Sequence, residues 1–306
     1  MPNGVDVNVL GECVADTIRY SAQHEVTYPG GSAANVAVGL ARLGRHVDFA
    51  TCLGDDEHGQ LMRAHLAREH VRVTNVAAEG TPTPSAVAVL DESGAAAYEF
   101  SVTWAAGPNL PAPRGSHLHL GSFPVFLSSA PAELDALLQS GRDHSSVSLD
   151  PNVRPELMGD PHRSRERLDS VLRFVDVVKA SDEDIAWLYD GADAESVARG
   201  WLEAGPGLAV VTMGANGCFA VSQHGTCRVP PVRVDVVDTV GAGDTLMAAL
   251  IDGLMDARTL GPRSSHRLAG LDADELRKVL ARAGRAAAIN VSRAGANPPS
   301  KEELDG

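Results

Sequence analysis

The stretch Asp238-Thr-Val-Gly241-Ala242-Gly243-Asp244-Thr245, followed by the apolar run Leu246 to Leu250, decides how the rest of the chain is read. Two glycines stand close before a carboxylate, at what the pattern predicts to be the first turn of a helix. The free N–H groups and positive dipole end of such a turn form an anion site. Gly241 and Gly243 let the backbone approach a phosphate without a Cβ in the way. A carboxylate inside an anion site repels that phosphate, so its presence needs a reason. The economical one is that Asp244 takes a proton from an attacking hydroxyl while the amides around Ala242 hold the group being transferred. The alternative is a helix capped by Asp238 with an ordinary tight turn, because short glycine motifs recur by chance.

A second segment, about two hundred residues earlier, changes that balance. Pro29-Gly30-Gly31-Ser-Ala-Ala-Asn35 runs from a paired-glycine turn into a helix with Val36, Leu40 and Leu43 at helical spacing, ended by Gly44. Together the two segments resemble the two signature motifs of the ribokinase-like, or PfkB, family of carbohydrate kinases. The resemblance spans nearly the whole chain, since the intermediate elements fall in the expected order. It implies a three-layer α/β/α core with a mostly parallel sheet and a small β-sheet lid, as one domain over residues 1–306. The lid strands are expected at about 12–28 and 85–104.

Composition agrees with an enzyme of this kind and excludes other classes. The chain has 306 residues and is 44% hydrophobic, enough for one large core. Its formal charge of −14 argues against nucleic acid as a partner. No apolar run approaches the length that spans a bilayer, and the N-terminus lacks the features of a signal peptide. The four cysteines, Cys13, Cys52, Cys218 and Cys227, form no C-x-x-C pair or zinc spacing, which predicts reduced thiols and a cytoplasmic location. Only Lys179, Lys278 and Lys301 are lysines, and no Gly-Lys-Ser/Thr step exists, which removes the Walker-type P-loop. No apolar strand is read as carrying the lysine of a protein kinase, so amides, arginine and a metal are expected to neutralise the phosphates.

The pattern predicts strands at Val5–Leu10, Val47–Cys52, His117–Leu120, Ser146–Leu149, Val175–Lys179 and Leu208–Thr212, with a hairpin from Gly217 to Val229. Helices are expected at Ala33–Leu43, Glu57–Glu69, Ala132–Leu138, Arg163–Phe174, Gly241–Met255 and Ala273–Val291, with another starting at Ser181. Ala257–Gly270 is read as an exposed loop. Cys13–Tyr28 and Ser85–Thr103 are read as antiparallel, with a hairpin turn at Asp91-Glu-Ser-Gly94. Alternating strands and helices mean a parallel sheet covered on both faces, with ligands outside the carboxyl ends of its strands.

The family resemblance assigns roles to individual residues. Asp16, Gly30, Gly31 and Asn35 are implied to bind the acceptor sugar, and Asp244 with Gly241, Ala242 and Gly243 to carry the chemistry. Asp150-Pro-Asn152-Val-Arg154-Pro resembles the loop of the fructokinase and 2-keto-3-deoxygluconate kinase branches, where Asn and Arg face the nucleotide phosphates. Thr212-Met-Gly214-Ala-Asn-Gly217 resembles a nucleotide loop, and Asn290 falls where the adenine pocket is completed. Ser181 and Asp184 read as a capping pair. The family has a metal motif at this point, so Asp184 is also expected to reach Mg2+ through water. ATP and Mg2+ are implied, with a monovalent cation such as K+ bound near Asp238 in several members. Fructose is the leading acceptor. Alternatives are 2-keto-3-deoxygluconate, ribose or a nucleoside, or a non-catalytic sensor on the same fold. A homodimer through the lid strands is expected.

Overall fold

The alternation of apolar runs and amphipathic segments gives this chain its layers. The computed structural model describes residues 4–21, 24–90, 96–107 and 110–306. Its N-terminal third contains β1 (Val7–Leu10), β2 (Val14–Ser21), β3 (His24–Gly30), α1 (Ser32–Arg42), β4 (Val47–Thr51), α2 (Glu57–Arg68), β5 (Arg72–Asn75), β6 (Ser85–Leu90) and β7 (Ala96–Ser101). The middle continues with β8 (His117–Leu120), α3 (Ser122–Phe126), α4 (Pro131–Gly141), β9 (Ser146–Leu149), α5 (Pro155–Met158), α6 (Pro161–Leu172), β10 (Val177–Ser181), α7 (Asp182–Leu188) and α8 (Ala194–Ala204). The last part holds β11 (Leu208–Thr212), β12 (Cys218–Ser222), β13 (Gly225–Val229), α9 (Ala242–Asp256), α10 (Ser264–Ala269), α11 (Ala273–Val291) and α12 (Lys301–Asp305).

Nine strands form one sheet in the order β13-β12-β11-β10-β9-β8-β1-β4-β5. All neighbours are parallel except those of the terminal β11-β12-β13 hairpins. Side chains alternate along each strand, so the sheet supplies two apolar faces. One core packs α1, α2, α9 and α11 and includes Val177 and Val210. The other packs α4, α6, α7 and α8 and includes Val178 and Val211. This is the expected three-layer arrangement. From β1 the chain moves outward to β4 and β5, then returns to β8 on the other side, so the topological switch lies between β1 and β8. Among the described residues, no helix is long and apolar enough to cross a membrane.

The second sheet has the order β3-β2-β6-β7. Its outer pairs, β2 with β3 and β6 with β7, are antiparallel, but β2 and β6 pair in parallel. The purely antiparallel lid expected from the sequence is corrected there: β6 arrives after a long excursion through α1, β4, α2 and β5, so no hairpin sets its direction. The turn expected at residues 91–94 lies outside the described residues.

Three further expectations shift. The strand placed at Val175–Lys179 runs instead over Val177–Ser181, two residues later, because Ser181 ends the strand while capping α7. Residues 257–270 are not all exposed loop; they contain α10, whose Ser264, Leu268 and Ala269 are buried. The edge strand β5 and the helix α8 were not anticipated. β5 is mostly exposed and so carries a weak hydrophobic signal. α8 is amphipathic, burying Ala198 and Trp201 with Val197 and Leu202 packed beside them, and its pattern was legible but not read.

Candidate active site

A cavity of about 360 Å³ opens at the carboxyl ends of the central strands, beside the topological switch and under the small sheet. Its walls come from the ends of β1, β9 and β10, from the start of α1 and from the first turn of α9. It brings together Asp16, Gly31, Asn35, Asn152, Arg154, Gly241, Ala242, Gly243 and Asp244, which are far apart in sequence.

The glycine turn is built as the sequence suggests. Gly241 is the N-cap of α9 in the left-handed region, at φ 73°, where a side chain is strained. A Cβ there would also stand 2.6 Å from the Ala296 methyl. Ala242 donates to the Thr239 carbonyl and Thr245 to that of Gly241. Among the described residues no protein acceptor meets the N–H of Gly243 or Asp244, so the turn keeps free donors at the positive end of a 15-residue helix. Asp238 holds the turn from below, its carboxylate accepting from the amides of Val240 (3.0 Å) and Gly295 (2.8 Å). Those bonds hold its pKa below the usual carboxylate range.

Asn290, expected at the adenine pocket, braces the glycine turn. It is fully buried, its Nδ2 donates to the Val240 carbonyl and its Oδ1 accepts from the Asn297 amide, both at 2.8 Å. It therefore clamps the 238–241 turn to the 293–297 segment.

The Asp244 carboxylate is gripped on both oxygens by the first turn of α1. Ser32 Oγ donates to Oδ1 at 2.7 Å and Asn35 Nδ2 to Oδ2 at 2.8 Å. Asn35, expected on the sugar, thus gives one of its two amide donors to Asp244. Ser32 was not singled out from the sequence, because a serine after two glycines reads as an ordinary helix start. Gly31 is the N-cap of α1 at φ 99°. A Cβ there would come within 2.8 Å of the Glu12 carbonyl, so the turn needs glycine to pack on the end of β1.

Asp16, on β2, stands at the cavity mouth beside Gly30, where any side chain would collide with its carboxylate. Although the residue keeps contact with solvent, the surrounding protein pushes its carboxyl up to about 6, with Arg154 pulling the other way. Glu12 was also missed. It is buried, accepts from the Phe123 amide at 3.1 Å and so links the ends of β1 and β8. Burial raises its pKa above the usual carboxylate value.

The loop after β9 hangs from two carboxylates. Asp150 accepts from the Asn152 amide at 3.1 Å and from Lys179 Nζ at 2.7 Å. Asn152 takes a left-handed φ of 37°, which asparagine tolerates better than most residues. Arg154 is exposed, its guanidinium donating to the Val153 carbonyl at 2.8 Å. Asp184 forms the capping box with Ser181 and also accepts from the Val153 amide at 2.9 Å. Both of its oxygens are thus engaged in holding α7 against this loop. Among the described residues no cluster of three His, Cys, Asp or Glu is arranged to hold a metal ion.

The sequence reading gave no role to a lysine on an apolar strand, yet the fold places one at the cavity. Lys179 lies in the middle of β10, is 4% exposed and lines the cavity. Its signal was present in the sequence as a lone lysine inside Val-Val-Lys-Ala, but the glycine motifs drew the reading elsewhere. Thr212, Gly214 and Gly217 lie at the end of β11 and in the turn after it, outside the cavity lining.

Comparison with known proteins agrees with this geometry. Residues 6–303 match the pfkB family carbohydrate kinase. The chain belongs to that family. Fructokinase from Klebsiella pneumoniae is 36% identical over 260 residues, covering 80% of this chain and 83% of the relative. Fructokinase from Escherichia coli is 32% identical over 315 residues, covering 97% of each. The crystal structure of fructokinase from Vibrio cholerae O395 in its fructose, ADP and calcium ion bound form superposes with a TM-score of 0.78 at 26% identity. That match covers 98% of this chain and 96% of the other.

Proposed function

We propose that this pfkB-family kinase transfers the γ-phosphoryl group of ATP to a hydroxyl of fructose. The observation that carries this reading is the Asp244 carboxylate, fixed by Ser32 and Asn35 beside the free amides of the α9 turn and open to the cavity that Asp16 lines. In this reading the acceptor hydroxyl lies against Asp244 and loses its proton to it as the oxygen attacks phosphorus. The bond from phosphorus to ADP breaks, and the amides of Gly243 and Asp244 hold the charge that spreads over the transferring oxygens. Ser32 and Asn35 fix the orientation of the base. Asp16 accepts hydrogen bonds from the remaining sugar hydroxyls, and Gly30 leaves it room. Asn152 and Arg154 serve the phosphates, and Thr212, Gly214 and Gly217 border the nucleotide beyond them.

Fructose as the acceptor is supported by the names of the curated relatives. A neutral sugar is also favoured at the cavity mouth, where Asp16 would repel an acceptor carboxylate. Mg2+ is implied by the chemistry of ATP. Among the described residues there is no preformed acidic cage, so the ion would keep its waters and travel with the phosphates, neutralising their charge. Asp184 would touch it only through water. Asp238, with both oxygens on backbone amides, leaves any K+ to be held by carbonyls nearby. The four cysteines are free and buried, which supports a reducing, cytoplasmic setting.

A homodimer through the small sheets is part of the proposal. Tyr28, Asp16, Ala86 and Phe100 are register partners in one row across the sheet, and three of them line the cavity. The next row on the same face, Val26, Ile18 and Ala88, is apolar, half-buried and beyond the cavity lining. A second copy of the same sheet would cover it. ADP release measured over ketoses, aldoses, nucleosides and keto-deoxy acids tests the acceptor. The highest kcat/KM is expected with fructose; a higher value for a member of another class would replace it.

A further inference from the structure

Lys179 has no part in the chemistry described so far, yet its placement is costly. Its side chain leaves β10 on the face that packs α9, and it sits beneath the first turn of that helix. A Cβ on Gly243 would stand 2.9 Å from its Nζ. A buried ammonium is expensive, and the positive end of a helix dipole is the wrong place for one. Asp150, itself 1% exposed, balances one charge at 2.7 Å. An apolar pair of similar volume would serve stability as well. The ammonium has three donors, of which Asp150 takes one. Lys179, the amides of the α9 turn and Arg154 therefore converge as positive groups on one cavity, which the carboxyl groups of Asp244, Glu12 and Asp16 also line. Such convergence suits a site through which negative charge passes.

We propose that Lys179, held by Asp150 under the first turn of α9, is a catalytic residue whose ammonium donates to the phosphoryl group as it passes from ATP to the sugar. This rests on the sugar-kinase reading above. Lys179 keeps its protons throughout. The hydroxyl proton goes to Asp244, one phosphorus–oxygen bond breaks toward ADP and another forms to the acceptor oxygen. Asp150 is a positioning residue that acts through Lys179. Gly243 is required in this scheme because any larger residue would displace the ammonium.

With only three lysines in the chain, the test can be read directly. Protein labelled with 13C at lysine Cε gives three signals, assigned with Lys278→Arg and Lys301→Arg, both exposed and remote from the cavity. Adding aluminium fluoride, a stand-in for the transferring phosphoryl group, to protein with fructose, ADP and Mg2+ should shift the Lys179 signal and leave the other two in place. A Lys179 signal that stays put would overturn the proposal. Kinetics give a second reading. Because Lys179→Met alone strands a buried carboxylate, the double variant Lys179→Met/Asp150→Asn removes both charges. Its turnover should fall by roughly 10²–10³-fold, the loss typical of one transition-state donor, with little change in fructose KM. Turnover restored to near the wild-type value would make the pair a structural clamp only. A wild-type protein that releases no ADP with any acceptor fails the sugar-kinase reading instead, before any variant is compared.

Discussion

Asp150 is pushed up to about 6 by burial, and the protein around the solvent-touching Asp16 raises its carboxyl to about the same value, yet the two act on different steps. Below that value Asp16 gains a proton and loses acceptor capacity, so the fructose KM should rise as pH falls through 6 and stay flat above it. Protonating Asp150 releases Lys179, and that loss belongs to kcat. In Asp16→Ala the fructose KM should be high at every pH and its acid rise should vanish, while ATP affinity stays near wild type. Initial rates from pH 5 to 8 separate the cases. A fructose KM in Asp16→Ala that still climbs below pH 6 would remove Asp16 from the acceptor site. Arg154→Ala should do the reverse, weakening ATP and turnover with little effect on fructose binding.

The elements bearing the two glycine motifs were legible because local chemistry dictates them. Gly31 and Gly241 both adopt φ values that only glycine takes easily, and both are N-caps of helices that meet at Asp244. What the sequence could not disclose is who meets whom across the fold. Ser32 lies 212 residues from Asp244 and Lys179 29 residues from Asp150, and no local pattern joins them. Asn290, expected beside the nucleotide, also braces the turn through bonds that no local pattern shows. Its replacement by alanine would leave the Val240 carbonyl and the Asn297 amide without partners. We expect a stability loss of about 2–6 kcal/mol in urea unfolding, from about one to three for each stranded group. A variant as stable as the wild type would return Asn290 to the list of nucleotide contacts.

At the scale of the molecule, the nine-stranded sheet fixes the ends of β1, β8, β9 and β10, while the small sheet covers the cavity and carries an apolar row on the same face beyond it. Light scattering on dilute protein should give twice the chain mass; a mass of one chain with full activity would remove the dimer from this account. The claim on which everything else depends is that Asp244 is the base. Asp244→Asn preserves the shape of the side chain, and Asn35 can turn its amide to face the new one. Steady-state turnover of this variant with fructose and ATP, beside calorimetric binding of both ligands, is the most direct measurement. Turnover should fall by about two to four orders of magnitude while both ligands still bind; a variant that keeps more than about a tenth of wild-type turnover contradicts the account.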